Sequence, residues 1–453
     1  MVKFSKSFVN LFYLGYNSIM KKKEKKNLQQ KETWYKLDLS ANVYPTLQRK
    51  NFSSVYRLSV LLKEKINPKL LQEAVDMTLP RFPTFKVAIH KGLFWRYLAP
   101  NNRPGPYVQK DVSNFCMPMN FKLNNRYLIR LYYYERRFSF ECHHSLADGS
   151  GGMFVLQTIT ANYLRLLGHK IPNGGFVLDI NEKSKKEETE DAYLRYATSK
   201  MRPPRTQEKA YRVRGTVEPF YTLNVIGGIM STSEIHKKAK WYGASITEYL
   251  NAVLLYALIQ KQKADRPIKE RPVKLAMPVN LRRFFPSQTL RNFITMIYPT
   301  IDPRLGDYKF EEILTQVHFY MRYYLNDKFL NADITTNAAT RRNPVIRIVP
   351  LFIKDFTVKQ FYSRVQDKQS SAGLTNMGAI TVPPGMEKYI ERFDIYMGQP
   401  YSARTNCAIV SFGDTLTVNF ASSIVESDVE QYFFRKLVED GIHVKIETNR
   451  SHC

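Results

Sequence analysis

Two runs of the chain are rich in aromatic and β-branched residues and read as strands. They cover residues 127–134 and 137–142 and meet at the polar pair Glu135-Arg136, so they predict a pair of strands joined by a tight turn. Behind them Phe154, Leu156, Ile159, Tyr163, Leu166 and Leu167 recur at helical spacing, and Gly168 stops the pattern. Between strand and helix, Gly149-Ser150-Gly151-Gly152 reads as a loop. The predicted order is strand, glycine loop, helix.

The same order recurs elsewhere. Residues 55–62 read as a strand, and Asn67-Pro68 supplies an N-cap and a first-turn proline for a helix carrying Leu70, Leu71, Ala74, Val75 and Leu79. In the second half, residues 220–227 read as a strand. Ser231 with Glu234 and Ser245 with Glu248 both have capping-box spacing, and an apolar helix is expected from Ile246 to about Gln260. Residues 407–420 predict a hairpin turning at Gly413-Asp414. Two strand-then-helix openings suggest two similarly built halves. Residues 181–215 mix charged and proline-rich sequence with few large aliphatics and read as a crossover between them.

Composition agrees. A chain of 453 residues exceeds a single core, so two sub-domains of about 200 residues are expected. A hydrophobic content of 44%, with 13% aromatics, fills two cores and excludes wholesale disorder. Four cysteines at 116, 142, 407 and 453 form no close pair and no metal spacing, which points to a reducing, cytoplasmic compartment. The formal net charge of +28 draws anionic partners. Nucleic acid is not expected among them, because no zinc-finger spacing, recognition helix or RNA-binding aromatic signature occurs. An anionic membrane surface is a second candidate: Phe4, Phe8, Leu11, Phe12, Tyr16 and Ile19 share one helical stripe, and residues 21–26 are basic apart from Glu24. The stripe is interrupted by Asn10 and Asn17 and lacks a cleavage site, so it reads as peripheral and not as a secretion signal. No apolar run is long enough to span a bilayer.

The chemistry concentrates at Cys142-His143-His144-Ser145-Leu146-Ala147-Asp148-Gly149. A neutral imidazole accepts a proton from a hydroxyl or amine as it attacks a carbonyl carbon. Glycines let backbone N–H groups approach, and a following helix end adds positive potential where an oxyanion forms. Asp148 either orients the imidazole or fixes the loop by pairing with a cation. A buried structural histidine is the plainer reading, and a metal site lacks a third ligand nearby. Cys142, on a strand position, reads as packing.

His143-His144 followed by Asp148-Gly149 resembles the His-His-x-x-x-Asp-Gly motif of the CoA-dependent acyltransferase superfamily, which includes chloramphenicol acetyltransferases, condensation domains, plant acyltransferases and alcohol acetyltransferases. The resemblance implies that His144 is the catalytic base, His143 scaffold, and Asp148 architectural, held by an arginine from the second half. Lys274 to Arg283 begins as an apolar strand and ends in Pro278-Val279-Asn280-Leu281-Arg282, similar to the motif supplying that arginine, so Arg282 is expected to meet Asp148 through its bidentate fork. Thr375, Asn376 and Gly378, followed by Pro383-Pro384-Gly385, are similar to a segment lining the family's tunnel. No Asp-Phe-Gly-Trp-Gly motif occurs, which sets the plant branch aside in favour of the microbial alcohol acetyltransferase branch.

The implied fold is α/β: two chloramphenicol acetyltransferase-like sub-domains, each a mixed sheet flanked by helices, with a tunnel between them. The expected organisation is a basic segment over 1–32, a first sub-domain over 33–180, the crossover over 181–215 and a second sub-domain over 216–453. The implied activity is direct transfer of an acetyl or longer acyl group from acyl-CoA, a co-substrate, to an alcohol, with no tightly bound cofactor and no metal. An acidic acyl-carrier protein as donor, with ester or amide formation, is the alternative. A non-catalytic binding protein on the same fold is the third reading.

Overall fold

In the computed structural model the described residues are 34–48, 52–203, 208–219, 222–364, 368–398 and 404–450. The amphipathic stripe and basic run of residues 1–32, and Cys453, lie outside them.

The strands expected over 127–142 form as Ile129–Tyr134 and Arg137–His143, paired antiparallel with Ile129 opposite Cys142. Glu135 turns the chain with a positive φ of 48°. Val55–Leu62 pairs with the second of them, and every one of its residues is buried, so this strand lies at the centre of a layered structure. Its sheet has five strands, and one edge comes from far away: Ile390–Met397 pairs antiparallel with Val55–Leu62, placing Phe393 opposite Val60 and Ile395 opposite Leu58. The expected second sub-domain, 216–453, therefore lends one strand to the first sheet.

The second sheet has eight strands and is mixed. Val273–Asn280 and Thr405–Phe412 both run parallel to Ala372–Ala379, whereas Thr405–Phe412 pairs antiparallel with Thr415–Ser422 through the Gly413-Asp414 turn. The strand Thr405–Phe412 shows how the halves are joined. Its side chains alternate by period two, so Cys407 and Ile409 enter the core beneath Ile246–Asp265, while Ala408 and Val410 enter the core of the first half. The helix Ile246–Asp265 opens on a complete capping box between Ser245 and Glu248. At Ser231 only half a box forms: its hydroxyl accepts from the Glu234 N–H, but a Glu234 carboxylate oxygen accepts from the His443 N–H.

The crossover is less solvated than its composition suggests. Glu188 is buried and takes both arms of Arg81 at 2.6 and 2.7 Å, and the Tyr193 hydroxyl donates to the Ile294 carbonyl at 2.7 Å. Residues 181–215 thus strap the two halves together.

Gly149 to Gly152 do not form a loop. Asp148 caps the helix Gly149–Leu166, and the glycines are its first turn. The reason is packing: a Cβ on Gly151 would lie 1.9 Å from the Leu290 carbonyl oxygen, and one on Gly152 would lie 2.6 Å from the Tyr56 hydroxyl. Alanine in a helix ordinarily stabilises by about 1 kcal/mol over glycine. At Gly151 the sign reverses, because the obstacle is backbone of the other half. Gly151→Ala is expected to cost on the order of 3 kcal/mol, the upper range for overpacking, in a denaturant titration. A variant as stable as the parent would show that the halves do not meet here.

Candidate active site

His144 follows the end of Arg137–His143, where its backbone N–H donates to the Ser54 carbonyl at 2.8 Å. Its carbonyl accepts from Asn292 at 2.8 Å. The backbone on both sides of the ring is thus tied down, one bond from each half of the molecule. The imidazole lies between two tyrosines, stacked on Tyr44 at 4.8 Å between centroids and tilted against Tyr56 at 4.6 Å. Among the described residues Nδ1 is buried without a hydrogen-bond partner and Nε2 makes no hydrogen bond, while the residue keeps part of its surface open. A ring so placed presents Nε2 as its working nitrogen.

Burial pulls the His144 pKa down to about 4, against the opposing pull of the Asp148 charge. His143 is fully buried, and burial, with His144 and Arg130 adding to it, takes it down to about 3. Its ring is fully engaged: Nδ1 accepts from the Ser145 N–H at 3.2 Å, and Nε2 meets the Gln48 amide oxygen at 3.1 Å. This places His143 in the scaffold and leaves His144 alone with a free nitrogen.

Both rings are neutral at pH 7, so a base acting through His144 should give a kcat/KM that is flat from neutrality down and declines only well below pH 6.5, towards about 4. The unfolded chain binds protons near pH 6.5 that these two rings refuse when folded, so stability also falls with pH, by about 1.4 kcal/mol per unit and per histidine. Rates are therefore best read in short pulses. An acid limb at 6.5 or above would contradict the buried neutral base.

Asp148 and Arg282 meet as expected, at 2.8 Å, across the two halves. The pairing is monodentate, not the bidentate fork. Asp148 Oδ1 accepts from the Gly151 N–H at 3.0 Å to cap the helix, and Oδ2 accepts from Arg282 Nη1 and from the Phe293 N–H, each at 2.8 Å. The remaining donors of Arg282 serve the carbonyls of Thr289 and Arg291. Both carboxylate oxygens are committed to holding the helix and the second half. Asp148 is thus a keystone, and its side chain makes no hydrogen bond to the His144 ring.

Gly149 packs its open side on Met377, whose sulfur would lie 2.8 Å from an added Cβ. Met377 is brought there by an irregularity in the strand Ala372–Ala379 between Asn376 and Ala379. The Asn376 amide donates to Thr247 at 3.0 Å and accepts from the Gly378 N–H at 2.8 Å, and Gly378 adopts a φ of +77°. Thr375, Asn376 and Gly378 therefore shape the strand beside the motif. None of the three borders the large cavity described next.

That cavity encloses about 1630 Å³. Its lining is mostly apolar and aromatic, with Tyr44, Tyr298, Tyr320, Phe329 and Leu37 among it, and also carries Arg96, Arg341, Lys354 and Asp355. Tyr44 is the connection to the site, since it borders the cavity and stacks on His144.

Three residues of the site carry no sequence signal. Asp38 is fully buried, accepts from the Ala41 N–H at 2.8 Å and receives Asn292 at 3.0 Å, so one Asn292 amide joins it to the His144 carbonyl. Asn292 and Tyr44 are the others. Alternative nucleophiles are closed off: burial pushes the Cys142 thiol up to about 12, and Ser145 is fully buried.

Neither a protein-family profile nor the sequence of a curated protein matches the chain. Solved structures do. The structure of polyketide synthase associated protein 5 from Mycobacterium tuberculosis aligns over 89% of this chain and 96% of its own, with a TM-score of 0.55 and 14% identity. The first condensation domain of the CDA synthetase aligns over 90% and 96%, with a TM-score of 0.57 and 14% identity. A variant of the starter condensation domain of rhizomide synthetase, solved in complex with C8-CoA, aligns over 89% and 94%, with a TM-score of 0.55 and 12% identity. The fold is that of the condensation domains: mixed sheets flanked by helices, as expected for a chloramphenicol acetyltransferase-like chain.

Proposed function

We propose that the chain is an O-acyltransferase of the alcohol acetyltransferase type, moving an acetyl or longer acyl group from acyl-CoA to an alcohol by direct transfer. The observation that carries the reading is His144, neutral, held by both halves and stacked on Tyr44, which borders a large cavity. The alcohol proton passes to Nε2 as the hydroxyl oxygen attacks the thioester carbonyl. The tetrahedral oxyanion collapses, the C–S bond breaks, and the imidazolium returns its proton to the departing thiolate. No acyl-enzyme step enters, because Cys142 and Ser145 are sealed and Asp148 is committed to Arg282. Acyl-CoA then acts as a co-substrate, consistent with a similar fold solved with C8-CoA.

A second reading, in which a carrier protein delivers the acyl group and the product is an ester or amide, is favoured by the condensation domains among the similar folds. The +28 charge suits an acidic carrier and the phosphates of CoA alike. The test is thiol release from acetyl-, octanoyl- and palmitoyl-CoA against a panel of alcohols and amines. Alcohol-dependent release is expected. Silence with every acyl-CoA together with turnover of a loaded carrier protein would transfer the assignment to the second reading. The buried free thiols Cys116, Cys142 and Cys407 suit a reducing, cytoplasmic setting.

A further inference from the structure

Exposed apolar side chains gather on one face of the second half. The helices Pro344–Ile348 and Leu351–Arg364 present Val345, Ile348, Phe352 and Phe356 at 65, 71, 70 and 62% exposure. Beside them stands the hairpin tip with Leu93 and Trp95, at 69 and 47%. Tip and helix are fastened to each other: the Leu351 N–H donates to the Leu93 carbonyl at 2.8 Å, and Lys354 donates to the Phe94 carbonyl at 2.9 Å. Large apolar side chains in such density on one face mark an interaction surface.

Two features say what covers it. The face carries positive charge, since Arg347 and Lys359 form no ion pair among the described residues, while the nearby Asp355 is neutralised by Arg96. The face also continues into the cavity. Trp95, Ile346, Ile353 and Phe361 are each more than a third exposed and also border the cavity, so they form its mouth.

From these we infer that this face docks on an anionic lipid bilayer, and that the cavity receives its acceptor, a hydroxyl-bearing lipid or long-chain alcohol, from the bilayer. Apolar side chains enter the acyl boundary while Arg347 and Lys359 meet anionic headgroups. A long-chain substrate then moves from one apolar medium to another without crossing water. Among the described residues no helix is long and apolar enough to cross a membrane, so the contact is peripheral. The substrate half of the inference rests on the acyltransfer reading; the docking half does not.

The test is flotation of the full chain with vesicles of phosphatidylcholine, with and without phosphatidylglycerol. The parent should float with the anionic vesicles. Ile348→Ser/Phe352→Ser should lose about tenfold in affinity, each deletion removing apolar area from the membrane contact. Arg347→Gln/Lys359→Gln should lose binding to anionic vesicles and gain nothing from removing phosphatidylglycerol. His144→Ala should bind as the parent does, which separates docking from chemistry. The serine pair should also esterify a vesicle-borne long-chain alcohol more slowly while leaving a short soluble alcohol unaffected. The docking proposal is overturned by a serine pair that floats like the parent, which would place binding elsewhere in the chain. It is equally overturned by a serine pair whose melting temperature drops by several degrees, which would mean that the chain covers this face itself. Binding of an acidic carrier protein, with no flotation, would overturn it as well.

Discussion

His144→Ala is expected to lower kcat for acyl transfer by about 10³-fold, within the range that a positioned general base supplies, with little change in KM for acyl-CoA and a melting temperature within a degree or two of the parent. The combination follows from how the ring is held. Its contribution to stability is small on both counts: Nδ1 is a buried nitrogen without a partner, so removing it relieves a desolvation cost, and the loss of contact with Tyr44 and Tyr56 offsets that relief. The bonds that fix the segment are made by its backbone, through Ser54 and Asn292, and survive the truncation. A catalytic loss without a folding loss is what separates a base from a structural histidine. His143→Ala makes the useful contrast, because it frees both Gln48 and the Ser145 N–H in a sealed site and should destabilise by about 1–3 kcal/mol. Full thiol release by the His144 variant would remove the chemical basis of the proposed function.

The parts of this site that sequence conveys are those written in local pattern. Runs rich in aromatic and β-branched residues placed strands at 55–62 and 137–142, and the Gly413-Asp414 turn was visible because a hairpin needs a residue that tolerates positive φ, as Gly413 does at 57°. The Ser245–Glu248 box marked the start of its helix for a similarly local reason. Partners distant in sequence are another matter. Asp148 and Arg282 are 134 residues apart, and only likeness to a known pair of motifs connected them. Even then the number of bonds was not legible, since the oxygen that a bidentate fork requires is used to cap the helix at Gly151.

What stayed hidden is tertiary. The glycines after Asp148 look like a loop until the Leu290 carbonyl and the Tyr56 ring are seen pressing on them. Ile390–Met397 is recognisable as a strand, but nothing local says that it joins the other half's sheet. Asp38 and Asn292 are ordinary polar residues whose importance lies in what they reach. The run from Val345 to Ile353 is rich in large aliphatic residues, and its exposure is a property of the fold alone. The proposed docking and the proposed chemistry are then separable: one rests on that run, the other on residues anchored by Arg282.

Arg282→Ala should therefore have the largest effect on stability of any single change at the site, about 3–5 kcal/mol, the usual cost of leaving a buried charge without its partner. The Asp148 side chain is only 3% exposed and that of Arg282 13%, so water cannot take over the missing contact. For a chain of this size the loss corresponds to a fall of roughly 3–5 °C in melting temperature. Two backbone carbonyls, Thr289 and Arg291, lose their donor at the same time. Rate should fall as well, because Phe293, whose N–H bonds Asp148, follows Asn292, whose amide bonds the His144 carbonyl. Slackening one loosens the other. Arg282→Lys keeps the charge but concentrates it in one ammonium, which cannot serve Asp148 and both carbonyls from one point, so it should recover less than half of the loss. The decisive comparison is Asp148→Asn in the Arg282→Ala background. An amide still caps the helix at Gly151 and no longer buries a charge, so the double variant should be more stable than Arg282→Ala alone, with a coupling energy of about 1–3 kcal/mol in a double-mutant cycle. If the single variant melts with the parent, or the two losses simply add, the link between the halves lies elsewhere and His144 is positioned by other means.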